Sequence, residues 1–151
     1  MQIRVDDLSG PEIKLLLQEH LADMYAVSPP ESVHALDLNE LRNSAVTFWT
    51  VWDQQQLAGC GAIKELDSTH AEIKSMRTAK DYRGKGISNL LLKHIIETAQ
   101  NRHYSRLSLE TGPQDFFLPA RKLYEKFGFT YCEPFADYEL DPFSVYMTRE
   151  I

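Results

Sequence analysis

The sequence predicts an α+β domain in which helices cover one twisted, mostly antiparallel sheet. Three observations lead there. Apolar residues recur at helical spacing in well-separated stretches. Between them, Ala45 to Arg77 alternates with period two and is rich in β-formers. The two kinds of segment interleave with no internal repeat and no linker, and 151 residues suit one domain. Residues 1–151 are therefore read as a single domain of order β-α-α-β-β-β-α-β-α-β-β.

Each element has its own signal. Residues 2–5 alternate polar and apolar, a short first strand. Asp6 to Pro11 is a turn into a helix, with Pro11 in the first turn, where its missing amide costs nothing. Ile13, Leu16, Leu17, Leu21, Met24 and Tyr25 make that helix's apolar face, and Ser28-Pro29-Pro30-Glu31-Ser32 breaks it. A shorter helical segment follows around Leu38–Arg42. Ala45–Asp53, Leu57–Leu66 and His70–Arg77 read as an antiparallel meander, with turns at Asp53–Gln56 and Asp67–Thr69. Gly59 and Gly61 inside the second of these strands mark a bulge or a close approach to the backbone. Ile87, Leu91, Ile95 and Ala99 line one face of a helix ending near Arg102, and Tyr104–Glu110 alternates as a strand. Pro119–Phe127 is a helix with Ala120, Leu123, Tyr124 and Phe127 on one side and Gly128 as its stop. Phe129–Cys132 and Ser144–Arg149 close the chain as strands, joined by an aromatic, acidic loop.

Composition excludes some partners. With 22 acidic against 16 basic residues the net charge is −6, which argues against nucleic acid or an anionic membrane held through charge. Cys60 and Cys132 form no metal-ligand spacing and sit in apolar runs, so they read as buried thiols of a reducing cytosol. No basic start followed by an apolar run marks a secretory signal. No apolar stretch approaches the ~18 residues that cross a bilayer. A cytoplasmic protein without a metal is the expectation.

The most informative stretch is a strand, then Arg83-Gly84-Lys85-Gly86, then a helix. The glycines free the backbone to take unusual torsions and leave room for a ligand against it. The helix that follows offers unpaired amides and a positive dipole end, which together suit a pyrophosphate. The spacing matches neither a P-loop nor a dinucleotide fingerprint.

Taken with Ala71–Ile73 upstream, Arg83-Gly84-Lys85-Gly86-Ile87-Ser88 resembles the cofactor motif of the GNAT superfamily of N-acetyltransferases, Arg/Gln-x-x-Gly-x-Gly/Ala. Ser88 stands where Gly or Ala is usual. A frame two residues earlier restores both glycines but puts Asp81 in place of Arg/Gln. The helix Ala120–Phe129 resembles the superfamily's Leu-Tyr-x-x-x-Gly-Phe, here Leu123-Tyr124 and Gly128-Phe129. The element order matches along essentially the whole chain, and the later runs at Glu110–Phe117 and Tyr131–Met147 resemble a bacterial subfamily of small, single-domain members. The resemblance implies a GNAT-like fold, acetyl-CoA as co-substrate, and direct acetyl transfer to an amine within a ternary complex. It implies that the backbone of Met76 and Thr78 pairs with the pantetheine arm. It also implies that the amides from Gly84 through Lys85, Gly86 and Ile87 to Ser88 hold the pyrophosphate, with Arg83 or Lys85 over the phosphates.

The chemistry needs an unprotonated nucleophile, a stabilised carbonyl oxygen and a proton for the departing thiolate. Tyr124 stands where the superfamily places the proton donor. Without that motif it would read as an amphipathic core residue. Glu72 is the candidate base: strand register puts it on one face with Lys74 and Met76. The competing reading is an exposed strand glutamate paired with Lys74. Glu110 is the reserve base. His34 lies near the expected acceptor site, where an imidazole can bind or deprotonate an acceptor. The other histidines, His20, His70, His94 and His103, read as ordinary helix or turn residues. Phe135 and Tyr138, in the loop Glu133–Pro142, either wall the acceptor pocket or form a subunit contact, and a homodimer is one expectation. The leading function is acetylation of a small-molecule amine. The alternatives are a lysine or amino-terminal protein acetyltransferase and, from another class, a non-catalytic acyl-CoA-binding module.

Overall fold

The computed structural model describes residues 1–34 and 37–151; Ala35 and Leu36, which follow His34 near the expected acceptor site, lie outside the described residues. One sheet of seven strands runs in the order β1-β2-β3-β4-β5-β7-β6. The strands are β1 Gln2–Val5, β2 Val46–Asp53, β3 Gln56–Asp67, β4 His70–Thr78, β5 Arg106–Thr111, β6 Thr130–Cys132 and β7 Val145–Glu150. The helices are α1 Pro11–Val27, α2 Leu38–Leu41, α3 Ile87–Asn101 and α4 Leu118–Lys126. Every pairing is antiparallel except β4 with β5. The fold is the mixed, GNAT-like architecture expected, with every expected element present within one or two residues. Sequence order did not reveal that β7 inserts between β5 and β6.

The two faces of the sheet differ. One is apolar and is covered by α3: Ile87, Leu91, Leu92, Ile95, Ile96 and Ala99 are buried against Ile63, Ile73, Leu107, Leu109 and Met147. Burying each large side chain stabilises by roughly 1.5–3 kcal/mol, so this is the main core. The other face carries α1 and α2, and a smaller cluster there joins Ile13 and Leu16 to Phe48, Cys60 and Ala62. Only the first half of α1 packs in this way. Leu21 and Tyr25, expected on its buried face, are exposed, because the second half of the helix leaves the β2–β3 cluster and borders a cleft.

The cleft begins where β4 and β5 part. They pair only from His70↔Arg106 to Ile73↔Leu109, although β4 runs on to Thr78 and β5 to Thr111. Within the unpaired part β4 bulges. Ala62 faces Lys74, but Cys60, two residues along β3, faces Arg77, and Ser75 takes a left-handed φ of 58°. The bulge changes which side chains share a face. Met76 packs into the α3 core, so the expectation that it shares a face with Glu72 and Lys74 fails by the one inserted residue. Arg77 takes that place instead, opposite Cys60 and on the α1 side.

Gly61 makes the arrangement possible. A Cβ there would meet Met76 Sδ at 2.5 Å and Leu91 Cδ2 at 3.0 Å. Gly61→Val should therefore lower stability by about 1–3 kcal/mol, the usual cost of overpacking. The check is the urea unfolding midpoint, and an unchanged midpoint would show that Met76 moves aside freely.

Candidate active site

The parting of β4 and β5 opens a cleft of about 680 Å³. Its floor is the stretch Glu72–Thr78 of β4 and Glu110–Gly112 after the last β4–β5 pair; its walls come from α1, α4 and the segment around His34, Tyr138 and Ser144. At one end stands the glycine turn. Gly84 and Gly86 hold φ of 75° and 80°, with open space where a Cβ would point. Gly86 caps α3, whose first internal amide bond runs from Leu90 to Gly86 O at 3.1 Å. Among the described residues the amides of Gly86, Ile87 and Ser88 thus have no backbone acceptor. Ser88, the departure from the family pattern, is accommodated: its hydroxyl meets Thr78 Oγ1 at 2.7 Å.

The cleft brings together most of the expected site residues. Met76, Thr78, Arg83, Gly84, Gly86, Ile87 and Ser88 line it, and so do Glu72, Tyr124, His34, Glu110 and Tyr138. Two do not. Lys85 is not among the lining residues, and its Nζ stands 5.3 Å over the Tyr82 ring. Phe135 lies behind the wall, edge-on to Tyr138 at 5.1 Å and tilted against His70 at 6.0 Å, and acts as backing.

Tyr124, on α4, is buried against Phe129 with ring centroids 5.7 Å apart. Burial raises its pKa well above the ordinary phenol value, so the hydroxyl stays protonated at neutral pH. Glu72 is buried, not exposed. Its Oε2 lies 3.2 Å from Lys74 Nζ and accepts a 2.6 Å bond from Tyr138 OH, which itself accepts from Lys74 Nζ at 2.9 Å. The Tyr138 phenol is pushed up by burial and by Glu72. Across the cleft, His34 Nδ1 is in close contact with Glu110 Oε2, and Ser144 Oγ donates to the same oxygen at 2.7 Å. The His34 ring also meets Tyr138 edge-on at 5.2 Å.

The alternative reading of Glu72 holds for its pairing with Lys74 but not for its exposure, and Lys74 is the cation of the buried Glu72–Tyr138 group. Sequence reading passed over two participants. Arg77 is buried and contacts Asp23 Oδ2 through Nη2 at 2.8 Å. His20, one turn before Asp23 on α1, lines the cleft beside this pair. The i, i+3 spacing of His20 and Asp23 was visible, but Arg77 reaches them only through the bulge. Of the cysteines, Cys60 is buried, with burial pushing its thiol up to about 12, whereas Cys132 on the edge strand β6 is only partly covered. Among the described residues no group of three acidic, histidine or cysteine side chains is placed to hold a metal, and no helix is long and apolar enough to cross a membrane.

Burial, then the Arg77 charge, pushes His20 down to about 4 from 6.5, with Asp23 opposing. Below pH 6.5 the unfolded chain protonates this imidazole while the folded chain does not. The unfolded state then binds more protons, so this contribution to stability falls as pH drops from 6.5 toward 4 and is level below that. His20→Gln should flatten the acid side of the stability profile across that window. Identical pH slopes for the two proteins in urea unfolding would contradict the assignment.

Comparison with known proteins bears on the family and the fold. The model of the Acetyltransferase (GNAT) family matches residues 13–129. The uncharacterized N-acetyltransferase YsnE of Bacillus subtilis (strain 168) is 57% identical over 151 residues, covering 100% of both chains. The uncharacterized N-acetyltransferase YedL of Escherichia coli (strain K12) is 53% identical over 146 residues, covering 97% of this chain and 92% of its own. In fold, the chain is similar to a GNAT family acetyltransferase from Elizabethkingia anophelis with acetyl-CoA bound. That match has a TM-score of 0.68 and 21% identity, and covers 99% of this chain and 97% of that one. The chain belongs to the GNAT family of acetyltransferases and is an N-acetyltransferase.

Proposed function

We propose that the enzyme transfers an acetyl group from acetyl-CoA directly to the amine of a small molecule, with both substrates held together in the cleft. The observation that carries this reading is the unpaired edge of β4 from Lys74 to Thr78, which leads straight into the glycine turn. An extended amide chain can pair there as a further strand would, through the backbone of Met76 and Thr78. The free amides from Gly86 to Ser88, with Arg83 beside them, suit the pyrophosphate at the end of that chain. The fold neighbour with acetyl-CoA bound supports the choice of co-substrate.

Acetyl-CoA supplies the acyl group, activated as a thioester. The residues of this chain do the rest. When the C–N bond forms and the C–S bond breaks, Tyr124 gives its proton to the departing sulfur; burial keeps the phenol protonated until then, and raises the proton affinity of the buried thiolate that receives it. For the proton leaving the amine, His34 and Glu110 are better placed than Glu72. Glu72 is held by Lys74 and Tyr138, whereas Glu110 fixes His34 through Nδ1 and leaves Nε2 to accept. Lys74, Glu72 and Tyr138 then shape the acceptor wall. An amine acceptor is favoured by a groove that meets the cleft at His34, Glu72 and Tyr138 and is lined with Glu31, Glu40, Asp137 and Asp141.

Calorimetric titration of the purified protein with acetyl-CoA and with CoA should give micromolar binding, and no detectable heat would sink the reading. Gly86→Val should weaken that binding severely while circular dichroism shows the fold intact, because valine is strained at φ 80°. Tyr124→Phe should lower turnover about 100-fold, the ordinary contribution of a general acid, with CoA affinity little changed. Unaffected turnover would move the proton donor elsewhere.

A further inference from the structure

Arg77 is a buried guanidinium with too few partners. Its side chain is 4% exposed and makes one ionic contact, Nη2 to Asp23 Oδ2 at 2.8 Å. The alignment falls short of a directed hydrogen bond: among the described residues neither Nη2 nor Nε has a bonded acceptor. An arginine offers five N–H donors in a planar fork, shaped for a carboxylate, and leaving a buried donor unpaired is costly. The residue lines the cleft, so an oxygen-bearing group there can satisfy it.

The face it occupies says which group. The register of β3 with β4 puts Glu72, Lys74 and Arg77 on the side of Lys64, Ala62 and Cys60. Paired residues share a face, and Cys60 and Ala62 pack against α1. Register places Glu110 there too, since it pairs with Tyr146 two residues beyond the Ser108↔Thr148 pair, and Ser108 pairs with Glu72. The base pair and Arg77 thus stand on one side of the parting. The cleft is also electrically two-ended. At the Arg77 end three cations, Arg77, Lys80 and Arg83, act on the one carboxylate of Asp23, so the cations outnumber it there. At the other end Glu72 and Glu110 line the cleft and Asp141 lines the groove that joins it, three carboxylates against Lys74, which is already bound to Glu72. Along β3 the Arg77 level, at Cys60, lies two residues or about 7 Å from the Lys74 level at Ala62 and four residues or about 13 Å from the Glu72 level at Lys64. Glu110, one residue past the Ile73↔Leu109 pair, stands at the nearer level, and the long arginine side chain shortens that gap.

We propose that Arg77 binds the carboxylate of the acceptor, and that the acceptor is a free amino acid with its amine toward His34 and Glu110. This deepens the acetyltransferase reading and rests on it. His20 beside the guanidinium stays neutral and adds no second positive charge, which leaves Asp23 as the ionic partner of Arg77. An amine lacking the carboxylate would leave Arg77 Nε and Nη2 without a bonded acceptor and Asp23 as the guanidinium's one ionic contact, so the site selects against it.

The test is binding of a panel of free amino acids and their matched primary amides to the protein saturated with coenzyme A, followed by calorimetry. At least one amino acid should bind on the order of 10- to 100-fold more tightly than its amide, the range of a charge-assisted hydrogen bond. Arg77→Met should erase that difference while coenzyme A affinity is unchanged. Arg77→Lys, which keeps the charge without the fork, should retain part of it and serves if the methionine variant does not fold. Equal binding of amino acid and amide, or no carboxylate-dependent binding anywhere in the panel, overturns the proposal. So does a loss of coenzyme A affinity in the folded variants, which would assign Arg77 to the co-substrate. Failure of the wild-type protein to bind coenzyme A at all is a different result and removes the acetyltransferase reading itself.

Discussion

The structure depends on the point at which β4 and β5 stop pairing. Two parallel strands that stayed in register to their ends would close the sheet and leave no cleft. Here the ladder ends at Ile73↔Leu109, and the bulge at Ser75 follows immediately. A left-handed non-glycine residue costs on the order of 1–3 kcal/mol. Burial of Met76 in the α3 core offsets that cost, and so does the bond from Cys60 Sγ to Ser75 O at 3.3 Å. The free edge, the direction of Arg77 and the need for glycine at position 61 all follow from this one irregularity.

The sheet also separates stability from chemistry. On the α3 side, alternate residues of β4, β5 and β7 are apolar and make the core: Ala71, Ile73, Leu107, Leu109 and Met147. On the α1 side the intervening residues are Glu72, Lys74, Ser108, Glu110, Tyr146 and Thr148. A buried Glu72–Lys74 pair adds little net stability, because desolvating two charges offsets most of their attraction. Its effect is geometric. Together with Tyr138 it ties the loop after β6 to the floor of the cleft, so the wall is held by directed bonds instead of apolar packing.

How much of this was legible in the sequence follows from the range of each signal. Periodicity is local, so the strands and helices could be placed to within a residue or two, and the glycine turn and Tyr124 were found from contiguous motifs. Glu72, His34, Glu110 and Tyr138 were singled out separately; nothing in their spacing said that they share a cleft, because residues 34, 72, 110 and 138 meet only through the sheet order. The error over Met76 has one cause: strand alternation assumes no bulge, and Ser75 carries no signature such as glycine to announce one. Arg77 was passed over for the same reason. Phe135 was misplaced because its aromatic neighbours His70 and Tyr146 come from other strands.

Environment then decides which groups in the cleft carry charge and which carry protons. Burial raises the Tyr124 phenol and the Cys60 thiol, so both keep their protons; burial lowers the His20 imidazole, so it stays neutral. Around neutral pH the permanent charges near the floor are then Arg77 and Lys74 against the carboxylates. In the proposed reaction this separation matters, because burial raises the proton affinity of the departing thiolate, so it takes a proton readily from a donor that is still protonated. Tyr124 is such a donor through desolvation alone, with no neighbouring carboxylate to draw the proton away. His34 works in the opposite sense: it is more exposed, is held by Glu110, and can pass an accepted proton to solvent. In the proposed reaction the fold thus holds a protonated acid on the buried side of the cleft and an exposed base at its mouth, while the direction of transfer comes from the higher free energy of the thioester than of the amide it becomes.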